Sequence, residues 1–311
     1  MSGNTYNFAV NGYGANDDPS VNHYYENTID TSNLVDGKPI YYLRNASGQT
    51  FDSSTNAGVF YCISCSNIEV RDLTLSKNDV GVYFYNTQNS QVENINSSNS
   101  SIGISLAYSN NNTITGGTTG QNQNVGISVG NSIGVTVSGS NASSNANTGI
   151  YMDASPGGTL SGNTVGSNNC VGISYEDSPN GNLSGNTINS NGCMGLWLSQ
   201  SGNSSLSGNT MSGNTPNFVL DGINDSNYEN NIDTTNLVEG SPIYYVKDAH
   251  NQTFDASTLP NVGTFYCMNC INVTISGLNL NSNSDAGVYL WRTTTSSLQN
   301  VTASGNQKGI I

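Results

Sequence analysis

A glycine followed by an aliphatic residue returns at Gly58, Gly81, Gly103, Gly126, Gly149, Gly172 and Gly195, at intervals of 22 or 23 residues. Asn217 stands at the next step, and Gly263, Gly287 and Gly309 resume the series. A period of this length, held in phase over so many turns, is the signature of a solenoid. Inside each period the pattern is short. Gly149-Ile150-Tyr151-Met152, Gly172-Ile173-Ser174-Tyr175 and Gly195-Leu196-Trp197-Leu198 alternate in the manner of strands with one buried face. A second short strand precedes each Ser-Gly-Asn turn, as in Leu160-Ser161-Gly162-Asn163 and Leu183-Ser184-Gly185-Asn186. Asn163, Asn186 and Asn209 are 23 residues apart, so their side-chain amides are expected to hydrogen-bond along the axis. Gly, Asn and Ser are also the residues that accept positive φ at sharp corners.

A rung of this length cannot bury its apolar face alone. Stacking places Ile104, Ile127, Ile150, Ile173 and Leu196 in one column, with successive strands roughly 4.8 Å apart. Stability is then a nearest-neighbour property of the rungs. Crossovers between parallel strands are right-handed. The expected fold is therefore all-β: a right-handed parallel β-helix of about 12 rungs of 22–24 residues. A helical solenoid is disfavoured by the density of Gly, Asn and β-branched residues.

The sequence is polar without being highly charged: 34% of the 311 residues are hydrophobic and 9% charged. Net charge is −14 with only seven Lys and Arg. Such a chain lacks the basic face that neutralises nucleic-acid phosphates. No apolar run is long enough to insert into a membrane, and the N-terminus does not read as a signal peptide.

A longer duplication overlies the rungs. Residues Ile29–Tyr42 return at Ile232–Tyr245 with 11 of 14 positions identical, and Cys62-Ile-Ser-Cys65 returns as Cys267-Met-Asn-Cys270. The unit is about 205 to 210 residues. We read 1–216 as a first tandem unit and 217–311 as the start of a second that continues the same solenoid. Met1–Phe8 aligns with Met211–Phe218, and Gly309-Ile310-Ile311 begins a strand. Both ends are thus expected to fall within a repeat, with Asn7, Phe8, Gly309, Ile310 and Ile311 as assembly edges.

The Gly-Ile/Val turns with Asn-rich corners resemble the parallel β-helix repeats of the pectin-lyase-like superfamily. The segment Asn33-Leu-Val-Asp-Gly-Lys-Pro-Ile-Tyr-Tyr42, followed by Phe60-Tyr-Cys-Ile-Ser-Cys65 and Asn67-Ile68, is similar to segments of archaeal surface proteins and the NosD-like group. The resemblance spans essentially the whole chain. It implies a surface or extracellular location and is specific for fold and not for activity, because this fold carries enzymes, adhesins and fibres.

Polysaccharide lyases and hydrolases of this fold set carboxylates beside Arg, Lys or His. Here the basic residues are Lys38, Arg44, Arg71, Lys77, Lys247, Arg292 and Lys308, none of them in the central rungs 100–215. His23 and His250 are far apart, and the pair Asp17-Asp18 has no basic partner nearby in sequence. The expectation is that the chain is not an enzyme. The two Cys-x-x-Cys pairs have zinc-like spacing but lie many rungs apart, which favours small buried corner residues. The NosD-like group is tied to copper-site maturation, yet no Met/His cluster supports copper. Asp153 and Glu176 are the candidates for calcium, against a solvated acidic pair. Cys170 and Cys193 sit at equivalent corners of adjacent rungs, within disulfide range and equally readable as stacked thiols. Tyr83, Tyr151 and Trp197, with Phe60 and Tyr289, share an outward position two residues after the ladder glycine. They offer either a glycan platform or a lateral contact with another solenoid.

These observations lead to the expectation of an extracellular or cell-surface structural β-solenoid. It would need no cofactor and would assemble end to end with itself into a filament or sheath by strand-edge pairing. A glycan-binding adhesin is the alternative, and a polysaccharide lyase or hydrolase ranks behind both.

Overall fold

The computed structural model describes residues 1–10 and 24–311. The chain is the expected right-handed parallel β-helix of about 12 turns, with short 3-10 turns at Ser53–Thr55 and Asp225–Tyr228. A long sheet of ten strands runs down one side. It starts with the short hairpin strand Leu34–Val35, and its nine successive rungs are Lys38–Arg44, Val59–Ile63, Val80–Tyr85, Ile102–Ala107, Val125–Gly130, Thr148–Asp153, Val171–Glu176, Met194–Ser199 and Phe218–Asp221. A sheet of nine short strands, from Thr50–Phe51 to Asn231–Ile232, forms a second side. A third side is shared by Thr74–Ser76, Asn96–Ser98 and Thr118–Thr119 and, further along, by Thr164–Gly166, Thr187–Asn189 and Thr210–Ser212.

The register sets the inner column residue upon residue: Val82, Ile104, Ile127, Ile150, Ile173, Leu196 and Phe218 pair in turn, each 0 or 1% exposed. The same register shifts by one residue at Val59–Ile63, where Phe60 pairs with Val82 and Tyr61 with Tyr83. Phe60 is consequently buried, not outward as its distance from Gly58 suggests. A one-residue slip reverses the faces of a strand, and Tyr61 takes the outward column instead. The same shift recurs further along the chain, with Phe265 paired to Val288 and Tyr266 to Tyr289.

Ladder glycines are required by close approach. A Cβ on Gly172 would lie 2.6 Å from both the Gly195 carbonyl oxygen and the Asn191 side-chain nitrogen. One on Gly149 would lie 2.3 Å from Val165 Cγ1 and 2.7 Å from the Ala142 carbonyl. The glycine lets the strand press against the corner of its own rung and the strand of the next.

Asparagine amides run through the interior as two continuous ladders. In one, the Asn163 side chain donates to Asn186 Oδ1 at 2.9 Å, Asn186 to Asn209 at 2.8 Å, and Asn209 to Asn236 at 2.8 Å. The other joins Asn122, Asn145, Asn168, Asn191 and Asn214 at 2.8–3.1 Å. Each amide also satisfies a backbone N–H of the rung before it, as where Asn163 N–H donates to Asn186 Oδ1 at 3.0 Å. A third column of hydroxyls, Ser132, Ser155, Ser178 and Ser201, takes the corner N–H groups of Ser109, Ser132, Ser155 and Ser178.

After Asp221 the coil changes path. The hairpin Leu237–Val238/Ser241–Lys247 leads into a further stack of Thr264–Met268, Ala286–Trp291 and Lys308–Ile310. The strand Phe218–Asp221 pairs with Met194–Ser199 on one side; on the other, Asn217 N–H donates to Asn283 O at 2.7 Å and Asp285 N–H to Phe218 O at 3.1 Å. Residues 1–10 reproduce this junction. Asn7 N–H donates to Lys77 O at 2.6 Å, and Asp79 N–H to Phe8 O at 2.9 Å. The Asn7 amide donates to Asp36 as the Asn217 amide does to Glu239, both at 2.9 Å. Phe8 meets Tyr61, and Phe218 meets Tyr266, in T-shaped contacts of 5.1 and 5.7 Å.

Gly172→Ala is expected to lose about 2 kcal/mol to overpacking. Gly130→Ala, where a Cβ would meet nothing within 4 Å, is expected to be neutral or to gain about 0.5 kcal/mol from a stiffer unfolded chain. Denaturant melts of the two variants beside the parent check this ordering.

Candidate functional site

Strand alternation sends every second residue of the long sheet outward. One outer column is Tyr61, Tyr83, Ser105, Ser128, Tyr151, Ser174, Trp197 and Val219. Beside it runs Ile63, Tyr85, Ala107, Gly130, Asp153, Glu176, Ser199 and Asp221. Aromatic groups thus flank a floor of small side chains, Ser105, Ala107, Ser128 and Gly130, on a sheet that the rung stacking keeps regular.

The upper wall is a tyrosine cluster. Tyr25, brought back over the sheet, lies 4.4 Å from the ring of Tyr85 and 5.7 Å from that of Tyr83. Tyr83 donates its hydroxyl to Tyr25 Oη at 3.1 Å, and Tyr42 donates to the Tyr25 carbonyl at 2.7 Å. Tyr108 packs edge-on against Tyr85 at 5.8 Å. Tyr25, Tyr83, Tyr85 and Tyr108, together with Asp79, Ser105, Ala107 and Gly130, line an open cleft of about 340 Å³. Burial raises the Asp79 carboxyl above its ordinary value.

The lower wall combines Tyr151, half-exposed Trp197 and three carboxylates. Asp153 and Glu176 are direct cross-strand neighbours, with Asp177 at the following corner. Burial and then the Asp177 charge raise the Asp153 carboxyl. Burial and then Asp153, Glu176 and Asp177 push the Tyr151 phenol up to about 12. Glu176 accepts a hydrogen bond from Ser174. Tyr151 therefore stays a neutral hydrogen-bonding and stacking group at physiological pH. The carboxylates repel an anionic ligand and favour a neutral or cationic one.

A smaller tyrosine cluster of the same kind lies further along the coil. Trp291 stacks on Tyr228 at 4.3 Å, Tyr228 and Tyr289 share a hydroxyl hydrogen bond of 2.9 Å, and Tyr245 donates to the Tyr228 carbonyl at 2.5 Å. Asp225 pairs with Arg292 at 2.5 Å and accepts from the Trp291 indole at 3.0 Å, leaving a cleft of about 140 Å³.

Of the other residues singled out in the sequence, Cys170 and Cys193 are joined by a disulfide, with Cα atoms 4.3 Å apart. Cys267 and Cys270 are joined by another, while Cys62 and Cys65 are buried thiols. Asn7 and Phe8 are buried in the junction, at 5 and 6% exposure, whereas Ile310 and Ile311 are exposed. His250 lies on the surface. Asp17, Asp18 and His23 lie outside the described residues. Tyr25 and Tyr108 were missed in the sequence. Tyr25 precedes the first ladder glycine, and Tyr108 sits at a left-handed corner with φ 52°, two positions beyond the inward Leu106.

This arrangement is that of a pectin-lyase-like parallel β-helix with an exposed, sheet-borne aromatic and acidic groove. The chain belongs to the NosD family, whose model, described as periplasmic copper-binding protein, matches residues 20–244. No curated protein matches the sequence. Among solved structures, the A-module of the Azotobacter vinelandii mannuronan C-5 epimerase AlgE6 is similar, with 15% identity over 91% of this chain and 83% of that one, at a TM-score of 0.52. The periplasmic alginate epimerase AlgG is similar at 12% identity over 87% and 79%, with a TM-score of 0.51. The likeness is one of fold.

It nevertheless corrects the expectation that the chain is not an enzyme. Two proteins sharing this coil are epimerases, so scarcity of basic residues in the central rungs does not exclude catalysis. The cluster of Tyr151, Asp153, Glu176 and Asp177 is titratable and perturbed without a basic partner.

The family description implies copper. The residues do not fit it: among the described residues no three His, Cys, Asp or Glu side chains come together to hold a metal ion. Four of the six cysteines are in disulfides, and Cys62 and Cys65 are 0 and 3% exposed.

A carboxyl raised in the folded state binds more protons there than in the unfolded chain, so its contribution to stability falls as pH rises through that range. Asp153→Asn is therefore expected to raise the melting temperature at pH 7, with the gain disappearing on acidification below the ordinary aspartate range. Thermal melts across pH check this. An equal effect at both ends of the range contradicts it.

Proposed function

We propose that the chain is an extracytoplasmic glycan-engaging β-helix. It would hold a neutral or amino-substituted polysaccharide along the outer face of the long sheet, from the tyrosine cleft to Trp197. The observation that carries this reading is the floor of Ser105, Ala107, Ser128 and Gly130 between Tyr25, Tyr83, Tyr85 and Tyr108 at one end and Tyr151 and Trp197 at the other. Sugar rings stack on aromatic faces, while their hydroxyls bond to neighbouring Ser, Tyr and carboxylate groups. The negative charge of the groove selects against uronate polymers. The periplasmic description of the family supports placement outside the cytoplasm, and no helix of the described residues is long and apolar enough to cross a membrane.

Calorimetric titration with neutral, amino-substituted and uronate oligosaccharides tests the reading, with reducing ends measured in parallel to detect cleavage. Saturable binding to one of the first two classes is expected, weakened roughly tenfold in Trp197→Ala for the loss of about 1.4 kcal/mol of stacking. Binding confined to uronates, or unchanged in both Trp197→Ala and Tyr151→Ala, overturns it.

A second reading concerns organisation. We propose that 1–216 and 217–311 are homologous units that dock through one junction, and that end-to-end assembly would reuse it. In support, Asn7 and Phe8 make the same backbone bonds as Asn217 and Phe218. Negative-stain images should then show particles lengthening with protein concentration. Particles of one length at every concentration contradict assembly.

A further inference from the structure

The chain has six cysteines, of which four are bridged. The two that are not, Cys62 and Cys65, occupy the same place in the first unit that the bridged Cys267 and Cys270 occupy in the second. The correspondence extends to their contacts. Cys62 is flanked across the sheet by Leu43 and Phe84, and Cys267 by Val246 and Leu290. Thr87 Oγ1 donates to the Cys62 carbonyl and Thr293 Oγ1 to the Cys267 carbonyl, each at 2.9 Å. The corner residues between the cysteines, Ser64 and Asn269, are both left-handed, with φ of 53° and 57°. Cys65 Sγ lies 3.5 Å from the Ile63 carbonyl, and Cys270 Sγ 3.6 Å from that of Met268. One backbone geometry thus holds a disulfide in one copy and two thiols in the other.

We infer that Cys62 and Cys65 close into a third disulfide in the mature protein. The left-handed corner that sets the Cys267 and Cys270 Cα atoms 6.0 Å apart for a bridge is repeated between Cys62 and Cys65, and the neighbouring Cys62 side chain holds the Cys65 thiol below its ordinary value. The oxidant is a protein or small-molecule disulfide of an oxidising compartment. Cys65 thiolate attacks one sulfur of that disulfide, forming a mixed disulfide and releasing the other sulfur as a thiolate. Cys62, after losing its proton, attacks Cys65 Sγ and displaces the second donor sulfur. Two protein thiols are oxidised by two electrons, and the donor leaves as two thiols. Both cysteines are sealed in the finished coil, so the exchange precedes the stacking of Lys38–Arg44 and Val80–Tyr85 over this rung. Closure leaves no cysteine thiolate for a soft metal, which extends the mismatch between this chain and the copper of its family description.

The test takes the full chain exported to an oxidising compartment, quenched in acid and unfolded in guanidinium. It is alkylated without reduction, then reduced and alkylated with a reagent of different mass, and its peptides are weighed. All six cysteines should carry only the second label, and unreduced digests should contain Cys62 bridged to Cys65. First label on Cys62 and Cys65 with the other four protected overturns the inference, as does a bridge from either to any other cysteine. Under competition with a Cu(I) chelator, the same protein should retain less than about a tenth of a copper ion per chain. Retention of one ion per chain that is abolished in Cys62→Ser also overturns it.

Discussion

The coil depends on how its corners satisfy their backbone. Sheet bonds between rungs account for the strands, but each turn leaves N–H and C=O groups facing the interior, where an unpaired group costs about 1–3 kcal/mol. The amides of Asn122 to Asn214 and Asn163 to Asn236, and the hydroxyls of Ser132 to Ser201, meet that need one rung at a time. Within a ladder the amide is saturated: Asn186 donates to Leu160 O and Asn209 Oδ1, and accepts from the backbone and side chain of Asn163. A column of this kind needs successive corners to fall in register. The 22–23 residue period supplies that over most of the coil, the 27-residue step from Asn209 to Asn236 still meets it, and the columns account for a composition rich in Asn and Ser and poor in charge.

Much of this was legible because it is periodic. The glycine phase marks the strands, the inner column follows from it, and the spacing of Asn163, Asn186 and Asn209 points to one ladder. The second ladder carried the same signal, Asn122 to Asn214 at steps of 23, and could have been found the same way. The failures have a common cause. Phe60 turned inward because the register slips by one residue between its rung and the next, which glycine spacing alone does not register. Tyr25 reached the site from outside the period. The Cys267–Cys270 bridge depends on a left-handed corner at Asn269 that brings the two Cα atoms to 6.0 Å, a distance that the Cys-x-x-Cys spacing does not specify.

The groove is a by-product of the same regularity. A flat sheet face, fixed by the interior ladders, lets small residues and aromatic rings be substituted rung by rung without disturbing the core. Where Ser, Ala and Gly are used, the face opens; where Tyr, Trp, Asp and Glu are used, it acquires stacking surfaces and charge. The junction applies this economy to the larger repeat, since one set of backbone bonds seats both Phe8 and Phe218. Catalysis and binding are therefore questions about a few outward side chains, and the coil itself is neutral between them.

The most direct test of the ladder's role is amide hydrogen exchange in Asn186→Ala. Removing this side chain leaves the Asn163 N–H without its acceptor and takes the side-chain donor from the Leu160 carbonyl. Exchange at Asn163 should quicken by at least about tenfold, the equivalent of 1.4 kcal/mol, while amides in the distant rung Val80–Tyr85 keep their protection. An Asn163 amide that exchanges as slowly as in the parent would contradict the account.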